Sequence, residues 1–192
     1  MELWRYRHLA LIFAARDIKV RYKQTVLGIV WVFIQPVALT TVYSLVFGKL
    51  AKIPSDGIPY PLFLLSGLVL WQFFATATNT ASTGLVAQGA LISKVYFPRV
   101  IILLTPILTG LLDFGIVLAL VLAAQVAWGI YPGPQLLLAP FFLLLAGAAV
   151  LALSLWLSAL DAFYRDVRYL LGFGLQIAYF ATPIVYPLSV VP

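Results

Sequence analysis

The chain has 192 residues, 64% of them apolar and 9% charged, with a formal net charge of +6 and no cysteine. A soluble domain carries about a quarter charged residues and must cover its surface with polar groups, so this composition excludes a water-soluble fold and predicts a polytopic membrane protein. The absence of cysteine excludes a disulfide framework, a thiolate metal site and a cysteine nucleophile. An excess of cations in so apolar a chain points to cytoplasmic loop bias rather than to nucleic acid.

Residues 1–23 predict an amphipathic helix. Trp4, His8, Leu11, Ala15, Ile18 and Tyr22 recur at alternating four- and three-residue steps on one mostly apolar face, with Arg5, Arg7, Arg16, Lys19, Arg21 and Lys23 supplying charge. Such a helix can lie in the headgroup region with its cations near anionic lipid. Residues 24–48 carry no charge and are long enough to cross a hydrocarbon core of about 30 Å. Pro36, inside this first span, removes a backbone donor and favours a kink. A loop rich in Pro, Gly and Asp leads to a second span over 62–83. This span holds Trp71, Phe73 and Phe74, then a polar run from Thr76 to Thr83 suited to hydrogen bonds between helices. Residues 84–99 exceed a tight turn and can hold a short helix. A third span covers 100–128 with Asp113 near its middle, a Tyr131-Pro132-Gly133-Pro134 turn follows, and a fourth span covers 136–160. Asp161, Arg165, Asp166 and Arg168 make a charged loop before a fifth span over 169–186. The fold class expected is all-α: an interfacial helix over 1–23 and a transmembrane domain over 24–192 with five helices. The odd count and the apolar end suggest a sixth helix missing from this chain.

Orientation follows from charge. Of the 12 Lys and Arg, all but Lys49 and Lys52 fall on the side that holds the N-terminus, which the positive-inside rule places in the cytoplasm.

The sequence holds no catalytic constellation. There is no Gly-x-x-x-x-Gly-Lys-Ser/Thr loop, no His-Glu-x-x-His pair and no serine elbow, and His8 is the single histidine. Catalytic residues and metal ligands are therefore expected to be none. Energy from ATP would have to come through another chain. Asp113 is the one ionisable group deep in a span, where a carboxylate costs several kcal/mol unless protonated or paired. It is an ion-coupling group, a polar spot in a translocation path, a helix-packing hydrogen-bond partner, or a residue nearer the interface than the span suggests. Aromatics make up 15% of the chain. Many belong to interfacial belts, but Trp31, with Gln35 one helical turn on, and Tyr43 and Trp71 are candidates for lining a path for sugar, since aromatic faces pack on pyranose C–H faces. An Arg-Asp dipeptide occurs at Arg16-Asp17 and at Arg165-Asp166. Both can anchor topology, and Arg165 and Asp166 are candidates for a cytoplasmic gate.

Several motifs resemble the ABC-2 type permeases that export lipid-linked polysaccharides such as O-antigen, teichoic acid and capsule. The first is Arg16, Asp17, Lys19, Arg21, Tyr22, Lys23, Gln24, Leu27, Gly28, Trp31, Gln35 and Pro36. The second is Phe97-Pro98-Arg99 followed by Pro106. The third is Tyr164-Arg165-Asp166-Val167, then Gln176 and Thr182-Pro183-Ile184-Val185-Tyr186-Pro187. The resemblance covers nearly the whole chain in order. It implies a bacterial or archaeal cytoplasmic-membrane permease with no cofactor of its own. Its partners would be an ATP-binding subunit carrying ATP and Mg, a second copy of the permease, membrane lipid and a polyprenyl-pyrophosphate-linked glycan. It also implies that Arg16, Lys19, Arg21 and Lys23 lie where the pyrophosphate is first met. Gln88, Lys94, Tyr96 and Arg99, in and beside the loop between the second and third spans, would couple to the ATPase. Rival expectations are an ABC-2 permease for a drug or simple lipid, an ion-coupled transporter using Asp113, and a membrane-embedded transferase.

Overall fold

A computed structural model of the chain describes residues 6–23 and 30–190. Trp4, at the start of the expected interfacial face, and 24–29, the start of the expected first span, lie outside the described residues. The described residues are helical and contain no strand. In chain order the helices are α1 (Arg7–Lys23), α2 (Val30–Tyr43), α3 (Tyr60–Ala87), α4 (Gly89–Ile92), α5 (Val100–Ala127), α6 (Ala139–Phe163) and α7 (Val167–Ala181).

Among the described residues, four helices are long and apolar enough to cross a membrane: Val30–Leu50, Tyr60–Ala87, Val100–Ala127 and Pro134–Phe163. They correspond to the first four expected spans. Proline opens two of them harmlessly, Pro61 and Pro140 sitting in the first turns of α3 and α6, where no N–H partner is lost. α2 continues through Pro36 and widens to a π-helix over Ser44–Leu50. α5 ends on Gly129 at φ +71°, with Ile130 N–H bonded to Gln125 O at 2.9 Å and Gly129 N–H to Val126 O at 3.0 Å. This paired closure needs a left-handed residue, which glycine supplies without a Cβ clash.

α3 is the central helix, packed along both α5 and α6. Contacts fix the directions. Gly84 of α3 faces Ile102, and Gly110 of α5 faces Phe73, so α3 and α5 are antiparallel. Val32 packs against the cluster that holds Val69 and Phe73, while Tyr43 and Phe47 pack against the cluster that holds Tyr60 and Leu64, so α2 is antiparallel to the N-terminal half of α3. One end of the bundle therefore gathers the α3–α5 connection and the α6–α7 turn. The opposite end gathers the 51–59 and 128–138 loops.

α1 is helical, and a face other than that of His8, Leu11 and Ala15 packs against the protein. His8, Leu11 and Ala15 are exposed, whereas Ala10 and Ala14 are buried and Ala10 sits among Phe97, Ile101 and Ile102, with Phe13 alongside. Two alanines one turn apart let the backbones approach closely, which an apolar-face count weighted by bulk does not anticipate. α1 runs parallel to α5: Ala10 lies near Ile101 and Arg21 near Asp113. Its last turn thus meets α5 roughly 20 Å from the start of that helix, at about 1.5 Å per residue.

The fifth segment differs from a simple span. α7 has 15 residues, roughly 22 Å against a core of about 30 Å. Thr182-Pro183 ends it, and the chain turns against α3. Ile184 contacts Gly67, and Val185 O accepts from the Tyr60 hydroxyl at 2.7 Å. Irregular backbone is tolerated at membrane depth only where protein satisfies its polar groups. Here Tyr60 does so from α3, and the Tyr186 hydroxyl bonds back to Phe180 O at 3.1 Å.

Candidate functional site

Where α1 stops and α2 begins, α3 and α5 enclose a cavity of about 290 Å³. Its apolar wall is Trp31 and Val32 from α2, Phe73 from α3, and Phe114 and Val117 from α5. Its polar wall is Gln35, Gln72, Thr76 and Thr80. Gln72, Thr76 and Thr80 recur every four residues and so form one stripe of α3. Thr78 and Ser82, from the same polar run, are buried instead. Gly110 makes room, since a Cβ there would stand 3.0 Å from the Phe73 ring.

A charged cluster closes one side. Arg21 Nη1 donates to Asp113 Oδ2 at 2.6 Å, and the Tyr22 hydroxyl donates to Asp113 Oδ1. All three residues line the cavity. Burial, then the bond to Asp113, pushes the Tyr22 phenol up to about 12, so it stays a protonated donor at neutral pH. A carboxylate at a helix centre in a bilayer costs about 3 kcal/mol. Arg21 and Tyr22 answer both carboxylate oxygens of Asp113 within the chain.

The structure sorts the sequence-predicted residues. Arg21, Trp31, Gln35 and Asp113 come together at the cavity. Tyr43 and Trp71 do not; they pack around Tyr179 of α7, at ring distances of 5.8 and 5.7 Å. Arg16 bonds Asp17 at 2.9 Å and lies 5.1 Å from the Phe13 ring, while Lys19 and Lys23 are exposed on α1. Gln88 is half-buried at the end of α3. Lys94, Tyr96 and Arg99 stand exposed around α4, and Phe97 between them is buried against α1. Arg165 and Asp166 are exposed in the α6–α7 turn. The ion pair there joins Asp161 to Arg168 through two bonds, Nε to Oδ1 at 2.7 Å and Nη2 to Oδ2 at 3.0 Å, with the Asp161 side chain 1% exposed.

Tyr22, Gln72, Thr76 and Thr80 also line the cavity, although the sequence placed Tyr22 on the interfacial face and Thr76 and Thr80 in a run suited to hydrogen bonds between helices. The four-residue spacing of Gln72, Thr76 and Thr80 is the signal that identifies them. The Asp161–Arg168 pair has a weaker signal, a seven-residue spacing across a helix break. Removing the Arg168 side chain strands a buried carboxylate, so Arg168→Ala is expected to lower the unfolding temperature distinctly more than Arg165→Ala. Thermal unfolding of the two variants in detergent checks this, and equal shifts would count against the pair as the fastener of the turn.

Residues 8–192 match the ABC-2 type transporter family. The chain belongs to that family. The ABC-2 domain described here is also similar to three curated proteins named O-antigen export system permease protein RfbA. The one from Myxococcus xanthus is 31% identical over 191 residues, covering 99% of this chain and 72% of the relative. Two from Klebsiella pneumoniae are 28% and 26% identical over 185 residues, each covering 96% of this chain and 71% of the relative. The ABC-2 match takes in α1 and every later helix, so the cavity and its charged cluster lie within the family's domain.

Proposed function

We infer that this chain is the permease subunit of an ABC exporter of polysaccharide, the activity carried in the name that its relatives share. We propose that the cargo is a lipid-linked glycan held on a polyprenyl pyrophosphate. The observation that carries this reading is the cavity. It pairs aromatic faces with amide and hydroxyl groups, as a pyranose requires, and it has a guanidinium at its edge, as a phosphate requires.

Membership of a transport-permease family supports the reading that a separate subunit hydrolyses ATP. Exposed Lys94, Tyr96 and Arg99, with α4, offer that subunit a docking surface. Buried Phe97 ties this surface to α1, and α1 ends at Arg21 and Asp113. Force applied at α4 thus has a packed route to the cavity. Charge supports a cytoplasmic N-terminus, since Lys94, Arg99, Arg165 and Arg168 share one end of the bundle and Lys49 and Lys52 lie toward the other. Our reading keeps 1–23 as a cytoplasmic interfacial helix, 24–192 as the transmembrane domain of a cytoplasmic-membrane protein, and two copies as the working unit. The exposed row of His8, Leu11 and Ala15 then faces lipid headgroups. The pairing of Asp113 with Arg21 and Tyr22 weighs against an ion-coupled transporter, which needs a carboxylate available to its ion.

Pull-down of the permease from its native membrane, with an ATPase assay of what accompanies it, tests the proposal. A stoichiometric ATP-binding subunit stimulated by a polyprenyl-linked glycan is expected. Recovery without any ATPase sinks it.

A further inference from the structure

The cavity holds an ion pair and, beside it, an unanswered donor. Gln72 lines the cavity, and its amide nitrogen is buried with no hydrogen-bond partner among the described residues. Buried amide N–H groups are normally bonded, so this one awaits an acceptor oxygen. Across the same space Arg21 meets the carboxylate of Asp113, whose other oxygen is held by Tyr22. Carboxylate and phosphate offer a guanidinium the same pair of oxygens. A bare divalent cation does not fit, because it needs six or more oxygen ligands and the cavity presents one carboxylate beside a cationic arginine.

We propose that Asp113 is a built-in stand-in for the anion of the cargo: a phosphate oxyanion exchanges with Asp113 at Arg21, and the Gln72 amide bonds the oxygen of the arriving group. This rests on the pyrophosphate-lipid reading above. Exchange explains why a carboxylate stands where a cationic entrance alone would bind more tightly. An oxyanion next to Asp113 meets a like charge in a half-enclosed space, so the carboxylate must be displaced before the ligand seats. The apparent affinity falls by the fraction of time the arginine is engaged. Such a tuned site takes hold of cargo without retaining it.

The test measures equilibrium binding of labelled farnesyl pyrophosphate to the permease with its ATP-binding partner in lipid nanodiscs. Asp113→Asn keeps the shape and removes the charge, and it is expected to bind about tenfold tighter than the parent. Arg21→Gln is expected to weaken binding by a similar factor, and the double variant to bind no tighter than Arg21→Gln alone. Gln72→Leu weakens binding in the parent and in Asp113→Asn alike. If Asp113→Asn does not insert, Asp113→Ser carries the same expectation. Parent-like or weaker binding by the neutral variants, with clear binding by the parent, overturns the exchange and leaves the cargo reading intact. No binding by any variant, parent included, overturns both.

Discussion

Alanine at Lys94, Tyr96 and Arg99 together is expected to cut export about thirtyfold or more while the permease still inserts and the partner subunit still hydrolyses ATP. Interface anchors of the Tyr and Arg type each carry about 2 kcal/mol or more, and 1.4 kcal/mol is tenfold. The expectation depends on these side chains serving the interface and not the fold. Tyr96 is 83% exposed, and Lys94 and Arg99 are exposed beside it. The local backbone is held without them, by Ser93 N–H to Gly89 O at 3.1 Å, by Val95 N–H to Leu91 O at 3.1 Å and by Phe97, whose ring meets Phe13 at 5.7 Å. Phe97→Ala makes the contrast. A buried phenylalanine truncated to alanine costs about 3–5 kcal/mol, so that variant should lose folded protein, not merely coupling. ATP hydrolysis and export measured in the same inverted vesicles separate the two. Full export by the triple variant would place the docking surface elsewhere.

The four long helices were legible because lipid leaves the sequence few choices. A segment of this length with at most one charge has to satisfy its backbone internally, which a helix does, and prolines and glycines mark where it begins and ends. The short seventh helix was less legible. Residues 169–186 have the composition of a span, and Pro183 alone does not say whether a helix bends or stops. What stops it is tertiary: Gly67 leaves room for Ile184, and Tyr60 offers its hydroxyl to Val185 O. The face by which α1 packs on α5 had little signal of its own, since alanines carry little apolar weight in a sequence yet set how closely helices approach. Within the site, Asp113 stood out from cost alone, but its partners lie 91 and 92 residues away and no spacing rule reaches that far. Trp31 and Gln35 share one helical turn, and both line the cavity. Tyr43 and Trp71 were grouped with them by residue type, and type does not fix which side of a helix faces the cavity.

Enlarging Gly110 is expected to separate cavity volume from helix packing. A Cβ at Gly110 would lie 3.0 Å from Cδ2 and 3.1 Å from Cε2 of Phe73, both on a ring that walls the cavity. Gly110→Ala asks that ring to yield by a few tenths of an ångström, and near-parental export is expected. Gly110→Leu adds three further carbons in the same direction, and they must enter a space of about 290 Å³ or drive the ring into it. Export is expected to fall at least roughly tenfold, with an overpacking cost of about 1–3 kcal/mol. Gly115 provides the control. It lies on the same helix, is exposed, and a Cβ there meets nothing within 4 Å. Gly115→Leu removes the same backbone freedom and adds the same bulk toward lipid, so it should export like the parent. The comparison that decides is export per inserted permease, with thermal unfolding measured in parallel. A loss shared by Gly110→Leu and Gly115→Leu would mean that α5 tolerates no bulk at all. A loss confined to Gly110→Leu, larger than its change in stability accounts for, would mean that the cavity is on the path of the cargo. Unchanged export by Gly110→Leu would remove the cavity from that path and leave the Arg21–Asp113 pair as a fastener between α1 and α5.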